Sequence, residues 1–268
     1  MVISVAALQY PIGRPIGLED TLHLFRLRPD CICLPEYFAV APDARSHADG
    51  VAHIEETLES LARLSRDLDC VAVGGTLAHP VDGGYANVCT VFDGGRPAGS
   101  YQKMNPVGRE EERGIIAGTE ARVFDVRGIK IGVLICADAL VEDSFKAMNR
   151  LGADVVFIPT VSPLLDDDTV FAKDRRDNEI FVAGARRACA YVVKTCGVGT
   201  IFGGRLQGRS GIFAPWGVLK RVTPDSEDRK LVLTENLDLD EIREFKRMMD
   251  TGAMARAETS SSDMTPAD

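Results

Sequence analysis

Hydrophobic and polar positions alternate with two different periods along the chain. Residues 2–9 (VISVAALQ) read as a strand, and residues 31–36 (CICLPE) form a short apolar run that ends at a proline. Residues 53–68 carry apolar side chains at 54, 58, 61, 64 and 68, the spacing of one helical face. Residues 70–78 and 85–93 read as strands around the turn residues HPVDGG. The run GIKIGVLIC (128–136) is almost continuously apolar, as expected of a strand covered on both faces. A helix is predicted over 144–152, with Gly152 as its stop, then a buried strand over 153–160. A helical stretch follows near 170–188, then a strand over 191–196. A hairpin over 211–222 turns at Pro215-Trp216-Gly217, and a strand over 230–238 leads into a helix over 238–249. Strands alternate with helices, yet hairpin-like pairs also occur. That combination predicts an α/β sandwich with mixed sheets rather than a purely parallel layout.

Residues 1–250 show no repeat, Pro-rich linker or break in composition, so they are expected to form a single domain. Residues 251–268 are small and polar, which predicts a flexible tail, and packing on a partner subunit is one use for it.

Composition narrows the partners. The 268 residues are 45% hydrophobic and 26% charged, and 31 Lys plus Arg against 40 Asp plus Glu give a net charge of −9. A chain of this size buries roughly 70–75% of its unfolded surface, so no disulfide or metal staple is needed. No basic stripe is present for nucleic acid or for an anionic membrane surface. No apolar run approaches a membrane span, and the start MVISVAALQYPIG lacks the basic and long apolar regions of a signal peptide. A cytoplasmic location is therefore expected. The seven cysteines are odd in number and include no C-x-x-C pair, and the four histidines form no H-x-x-x-H pair. Neither a disulfide framework nor a structural zinc is expected. The glycine pairs fit turns and strand ends and form no phosphate loop, so no cofactor is implied.

Three residues stand where chemistry is easily done. Cys136 ends the run GVLIC, at the point where a buried strand turns and its backbone N–H groups point into the same space. Glu36 follows Pro35 and precedes two aromatics, surroundings that raise a carboxyl toward the pKa of a useful base. Lys103, in GSYQKMNP, is a donor able to favour a thiolate or a negative oxygen. Taken singly, each has a plainer reading: a buried thiol, a solvated loop acid and a surface lysine.

In this order LPEYF, YQKMNP and GVLICADA resemble the three signature segments of the nitrilase (carbon–nitrogen hydrolase) superfamily. The intervals agree too, 67 residues from Glu36 to Lys103 and 33 more to Cys136. Supporting likenesses are GGTLA and YANVCTVFD, with the family's usual Asn at Asn87, then EEERGIIAG, GADVVFIPT and GRSGIFAPWG. The resemblance spans roughly residues 2–245. It implies a four-layer α-β-β-α sandwich, with Glu36 as general base, Lys103 as stabiliser of the tetrahedral intermediate and Cys136 as nucleophile. Counting back from Ala117-Gly118 puts the family's second glutamate at Glu111, and the backbone N–H of Ala137 among the oxyanion donors. It also implies a small-molecule amide substrate, no cofactor and a homodimer or larger assembly. Two positions depart from the family pattern. Ala137 stands where an aromatic is common, and Arg187-Ala188 where Glu-Asn is common.

The chemistry so implied is hydrolysis of a non-peptide C–N bond through a thioester, on a small amide, an N-carbamoyl compound or, less in keeping, a nitrile. An acyltransferase using the same thioester, a catalytically silent binding protein on the same sandwich and a cysteine redox sensor remain open. The run Asp166-Asp167-Asp168 reads as a solvated loop; at a pocket mouth it would disfavour anionic substrates. Arg175, Arg176, Arg186 and Arg187 read as helix-surface or interface residues.

Overall fold

The computed structural model describes residues 1–51, 53–165 and 168–251. Asp166, Asp167 and residues 252–268, and with them the expectation of a C-terminal tail, lie outside it.

Along the chain the elements are β1 (Val2–Pro11), α1 (Leu18–Leu27), β2 (Cys31–Cys33), α2 (Ala48–Val51), α3 (Ile54–Asp67), β3 (Val71–Val73), β4 (Leu77–Val81), β5 (Gly84–Asp93) and β6 (Arg96–Gln102). Next come α4 (Gly108–Glu112), β7 (Val123–Val126), β8 (Ile129–Val133), a 3-10 turn (Cys136–Leu140), α5 (Glu142–Arg150) and β9 (Val155–Thr160). A nearly continuous helical stretch holds α6 (Val170–Asp177), a π turn (Asn178–Val182) and α7 (Ala183–Ala188). The chain ends in β10 (Tyr191–Ile201), β11 (Gly204–Leu206), β12 (Gly211–Ala214), β13 (Gly217–Arg221), β14 (Leu231–Asp238) and α8 (Leu239–Asp250).

Two mixed sheets result. In the first, β14 pairs antiparallel with β1, β2 and β3 follow in parallel, and β5 and β6 complete it antiparallel, with β4 on β5 beyond the end of β3. In the second, β10, β9 and β8 are parallel, with β7 on one edge and the β12–β13 hairpin on the other. The sheets join where Tyr10 and Pro11 of β1 pair with Gly197 and Val198 of β10.

The alternation of side chains along each strand fixes the layers. Val5 and Ala7 of β1 face Val133, Phe157 and Val193 of the second sheet in the central core. Ala6 and Leu8, the alternate residues, pack outward against Leu24 of α1 and Leu61 and Leu64 of α3. On the far side Val156, Ile158 and Val192 pack against Phe145 and Met148 of α5 and Ala185 and Ala188 of α7. The architecture is the four-layer α-β-β-α sandwich. Strands with two covered faces explain the near-continuous apolar runs at 2–9, 128–136 and 153–160. Among the described residues, no helix is long and apolar enough to cross a membrane.

Three local differences from the sequence reading bear on the site. The run 70–78 is two strands, broken at Gly74–Thr76. Gly75 has φ +63°, and a Cβ there would collide with the Pro35 carbonyl oxygen and lie 2.9 Å from Phe38. Only glycine lets this loop touch the segment that carries Glu36. The run 128–136 leaves the ladder after Val133, so Cys136 stands in the turn beyond the strand. Strands β6, β7 and β11, and helix α4, carry weaker patterns and appear only in the structure.

Candidate active site

The site gathers at the C-terminal ends of β2, β6, β8 and β9, where open α/β sheets expose backbone and loops to a ligand. Each side chain arrives by a separate route. Glu36 follows β2 by three residues, and Thr76 Oγ1 accepts the Tyr37 N–H at 2.9 Å, pinning the turn. Lys103 follows β6, and its N–H donates to the Asn87 carbonyl on β5 at 2.9 Å. Cys136 opens the 3-10 turn after β8 with φ +44°. A non-glycine residue in this left-handed region costs on the order of 1–3 kcal/mol, so the surrounding structure must enforce it. Asp138 does so: it accepts from the Tyr101 hydroxyl at 2.7 Å, the Ile135 N–H at 2.9 Å and the Asn105 N–H at 2.8 Å.

Glu36, Lys103 and Cys136 are brought together. Lys103 Nζ donates to Glu36 Oε1 at 2.8 Å, with Glu36 0% and Lys103 1% exposed. Cys136, half-buried, has its thiol within hydrogen-bonding reach of the Glu36 carboxylate and donates to the Val161 carbonyl at 3.4 Å. Val161 also donates its N–H to Glu36 Oε2 at 3.2 Å, so the backbone of one residue just past β9 holds the carboxylate and the sulfur side by side. Ala137 is buried in the same 3-10 turn as Cys136.

The second glutamate beside the lysine is Glu110, not Glu111. Lys103 Nζ donates to Glu110 Oε2 at 2.5 Å, whereas Glu111 is exposed. The reason is helical phase: α4 starts at Gly108, and the Val107 N–H is capped by Glu110 Oε2 at 3.0 Å, which turns Glu110 inward and its neighbour out. Counting back along a sequence cannot see this phase.

Electrostatics separates the two acids. Burial, with the nearby Glu110 charge, holds the Glu36 carboxyl above its ordinary value although Lys103 opposes the shift. Burial also pushes Glu110 up, but the Lys103 ammonium and hydrogen bonds from Val107 and Tyr37 outweigh it and leave Glu110 low. Burial would lower Lys103; the charges of Glu36, Cys136 and Glu110 hold it above its ordinary range. The Cys136 thiol is pushed well up by burial and the Glu36 charge, so it needs a base to lose its proton.

The sequence reading gave no role to the Val161 backbone or to Asp138, and took Tyr37 only as an aromatic beside Glu36. Tyr37 OH donates to Glu110 Oε1 at 2.8 Å, and its ring lies tilted by 35° against buried His47, whose imidazole burial pushes down to about 4. A backbone contact such as that of Val161 leaves no signal in residue identity. Arg176 pairs with Asp168 and Arg187 with Glu142, outside this cluster. Among the described residues no group of three or more His, Cys, Asp or Glu is arranged to hold a metal ion.

Residues 24–247 match the carbon–nitrogen hydrolase family. In structure the chain is similar to a carbon–nitrogen hydrolase from Helicobacter pylori G27, with a TM-score of 0.78 and 20% identity over 92% of this chain and 93% of that one. It is also similar to an amidase from Nesterenkonia sp., with a TM-score of 0.70 and 21% identity over 90% of this chain and 92% of that one. A variant of the amidase from Nesterenkonia sp. AN1, showing covalent addition of the acetamide moiety of fluoroacetamide at its active site cysteine, has a TM-score of 0.70 and 20% identity over 90% and 92% of the two chains. At these identities the likeness is one of fold. No curated protein matches the chain in sequence.

Proposed function

The chain belongs to the carbon–nitrogen hydrolase family, and from that premise we propose that it is a thiol amidohydrolase acting on a small amide or N-carbamoyl compound. The observation that carries the reading is the meeting of the Cys136 thiol, the Glu36 carboxylate and the Lys103 ammonium around the Val161 backbone.

Glu36 takes the thiol proton as Cys136 Sγ attacks the carbonyl carbon, forming the C–S bond. The carbonyl electron pair moves to oxygen, and that oxyanion accepts from Lys103 and from the Ala137 N–H. Lys103 has donors enough: two N–H groups hold Glu36 and Glu110, and the third, without a partner among the described residues, can serve the substrate. Collapse re-forms the carbonyl and breaks the C–N bond, and the amine or ammonia leaves with the proton from Glu36. Water then gives its proton to Glu36 and attacks the thioester. The acid departs, and the proton returns to sulfur. The raised thiol makes this concerted removal necessary, since little thiolate exists beforehand at neutral pH.

Fluoroacetamide, whose acetamide moiety is added at the active site cysteine of a mutant of the similar Nesterenkonia sp. AN1 amidase, is a direct probe. Incubation should add one acetamide-sized mass to the intact protein, mapped to Cys136 and absent in Cys136→Ala. Turnover of simple amides should fall by roughly 10²–10³-fold in Lys103→Met, the usual cost of losing one oxyanion donor. The absence of both mass gain on Cys136 and hydrolysis of simple amides, or undiminished turnover without Lys103, would reject the reading. Analysis of the products of amide turnover with added amines separates hydrolysis from acyl transfer.

A further inference from the structure

Glu36 and Glu110 are the same side chain on either side of one ammonium, and only one of them is available as a base. The donors each receives make the difference. A carboxylate offers about four acceptor places. Glu110 has all of them filled, by the Tyr37 hydroxyl and Asn87 Nδ2 on Oε1 and by Lys103 Nζ and the Val107 N–H on Oε2. Glu36 receives Lys103 Nζ and Asn87 Nδ2 on Oε1 but only the Val161 N–H on Oε2. The Cys136 thiol lies within hydrogen-bonding reach of this carboxylate, and among the described residues Oε2 is the oxygen with an acceptor place left.

Asn87 touches both acids. It is 0% exposed, and its Nδ2 donates to Glu36 Oε1 at 2.9 Å and to Glu110 Oε1 at 3.2 Å. The backbone fixes it there, because Asn87 pairs with Ala78 on one side and accepts the Lys103 N–H on the other. The amide can stand only this way round: a flip would set its oxygen against two carboxylate oxygens. Its Oδ1 has no partner among the described residues, so the side chain serves as a donor.

We propose that Asn87 is a positioning residue of the reaction. By filling the second acceptor place on Glu36 Oε1, it leaves Oε2 as the one oxygen able to take the thiol proton, and it favours the ionised carboxylate between turnovers. The proposal rests on the thiol-hydrolase reading above. The titratable groups facing Glu36 are Lys103 from the end of β6, Glu110 from α4, Cys136 from the turn after β8 and Tyr37 beside it, with His47 behind Tyr37. Substituting Asn87 removes none of them.

The test follows alkylation of Cys136 by iodoacetamide across pH, read by intact mass and peptide mapping, in the full chain. In the wild type the rate should fall on the acid side as Glu36 takes a proton, and Glu36→Gln should abolish that limb. Asn87→Leu removes the donor at similar volume, and Asn87→Ser keeps the site polar should the first fail to fold. A hydrogen bond to a charged group corresponds to on the order of one to two pKa units, so the acid limb should move up by about one pH unit in either variant. A merely structural role would lower the rate and leave the limb in place. That result, in a variant melting within a few degrees of wild type, overturns the proposal while the thiol reading stands. A wild-type profile that Glu36→Gln leaves unchanged overturns both.

Discussion

Successive residues of a helix point about 100° apart, so the run Glu110-Glu111-Glu112 sends one acid inward and the others toward water. Glu110 is nearly buried and takes donors from Lys103, Tyr37, Asn87 and Val107, whereas Glu111 is exposed. The two neighbours should therefore behave differently under the same change. Glu110→Gln replaces an acceptor by an amide whose N–H groups confront the ammonium and its fellow donors. A hydrogen bond to a charged group is worth roughly 1.5–3 kcal/mol, so kcat/KM on a small amide should fall about 10- to 100-fold. Glu111→Gln should stay within about twofold of wild type. Equal losses at both positions, measured side by side, would remove Glu110 from the site. A related expectation concerns pH. The proposed mechanism needs Glu36 ionised, and burial holds its carboxyl above the ordinary value of 4.5. The acid limb of kcat/KM should therefore lie above pH 4.5 and should disappear in Glu36→Gln, and a limb below it would mean that another group is titrating.

At the scale of elements, what could be read from sequence depended on how many faces an element buries. Strands covered twice, such as β1, β8 and β9, stand out as apolar runs; Glu36 and Cys136 were legible because each follows a buried strand, β2 and β8, whereas Lys103, after the largely exposed β6, was legible only through its motif. β6 (RPAGSYQ) has one buried residue, and β7 and β11 are short, so their patterns sink into the surrounding loops. Asn87 could be noted as a familiar asparagine, but its role depends on the β5–β6 register, which brings it beside Lys103. The helical stretch at 170–188 looked uniform; the structure divides it with a π turn, after which α7 presents Gly184 to α5. A Cβ at Gly184 would lie 2.6–2.7 Å from ring carbons of Phe145, which is 1% exposed and cannot swing into solvent. Gly184→Ala should thus destabilise the fold by about 1–3 kcal/mol through overpacking, despite alanine's better helix propensity. Thermal unfolding measures it, and an unchanged or raised melting temperature would show that α5 and α7 separate more easily than the packing indicates.

Across the whole molecule, the parallel strands put reactivity at one end and fastening at the other. β9 ends at Thr160, next to the Val161 backbone that contacts the Glu36 carboxylate and the Cys136 sulfur, and begins after Asp154. Asp154 has a side chain only 3% exposed and gathers Arg243 at 2.9 Å and Lys246 at 3.3 Å from α8, together with the Lys130 N–H at 3.1 Å from β8. It ties the last helix, whose Leu239 and Ile242 enter the central core, to the starts of two strands. Burial alone would raise this carboxyl, but Arg243, the Lys130 N–H and Lys246 outweigh it and hold Asp154 below its ordinary value of 3.8. A carboxyl lowered on folding contributes stability that is present above its unfolded value and is lost as pH falls through the folded one. Asp154→Asn should cost about 2–3 kcal/mol at pH 7, toward the low end for a broken buried pair because the Arg243 side chain is 38% exposed and can turn to water. For a chain of this length that is about 5–10 °C in Tm. The gap between wild type and variant should narrow as pH drops below 3.8, where the wild-type carboxyl begins to take up its proton. Since the clasp lies a full strand away from Cys136, kcat/KM at 25 °C should be unchanged in the variant. A gap that persists undiminished in acid would assign the loss to packing around residue 154 instead of to its charge.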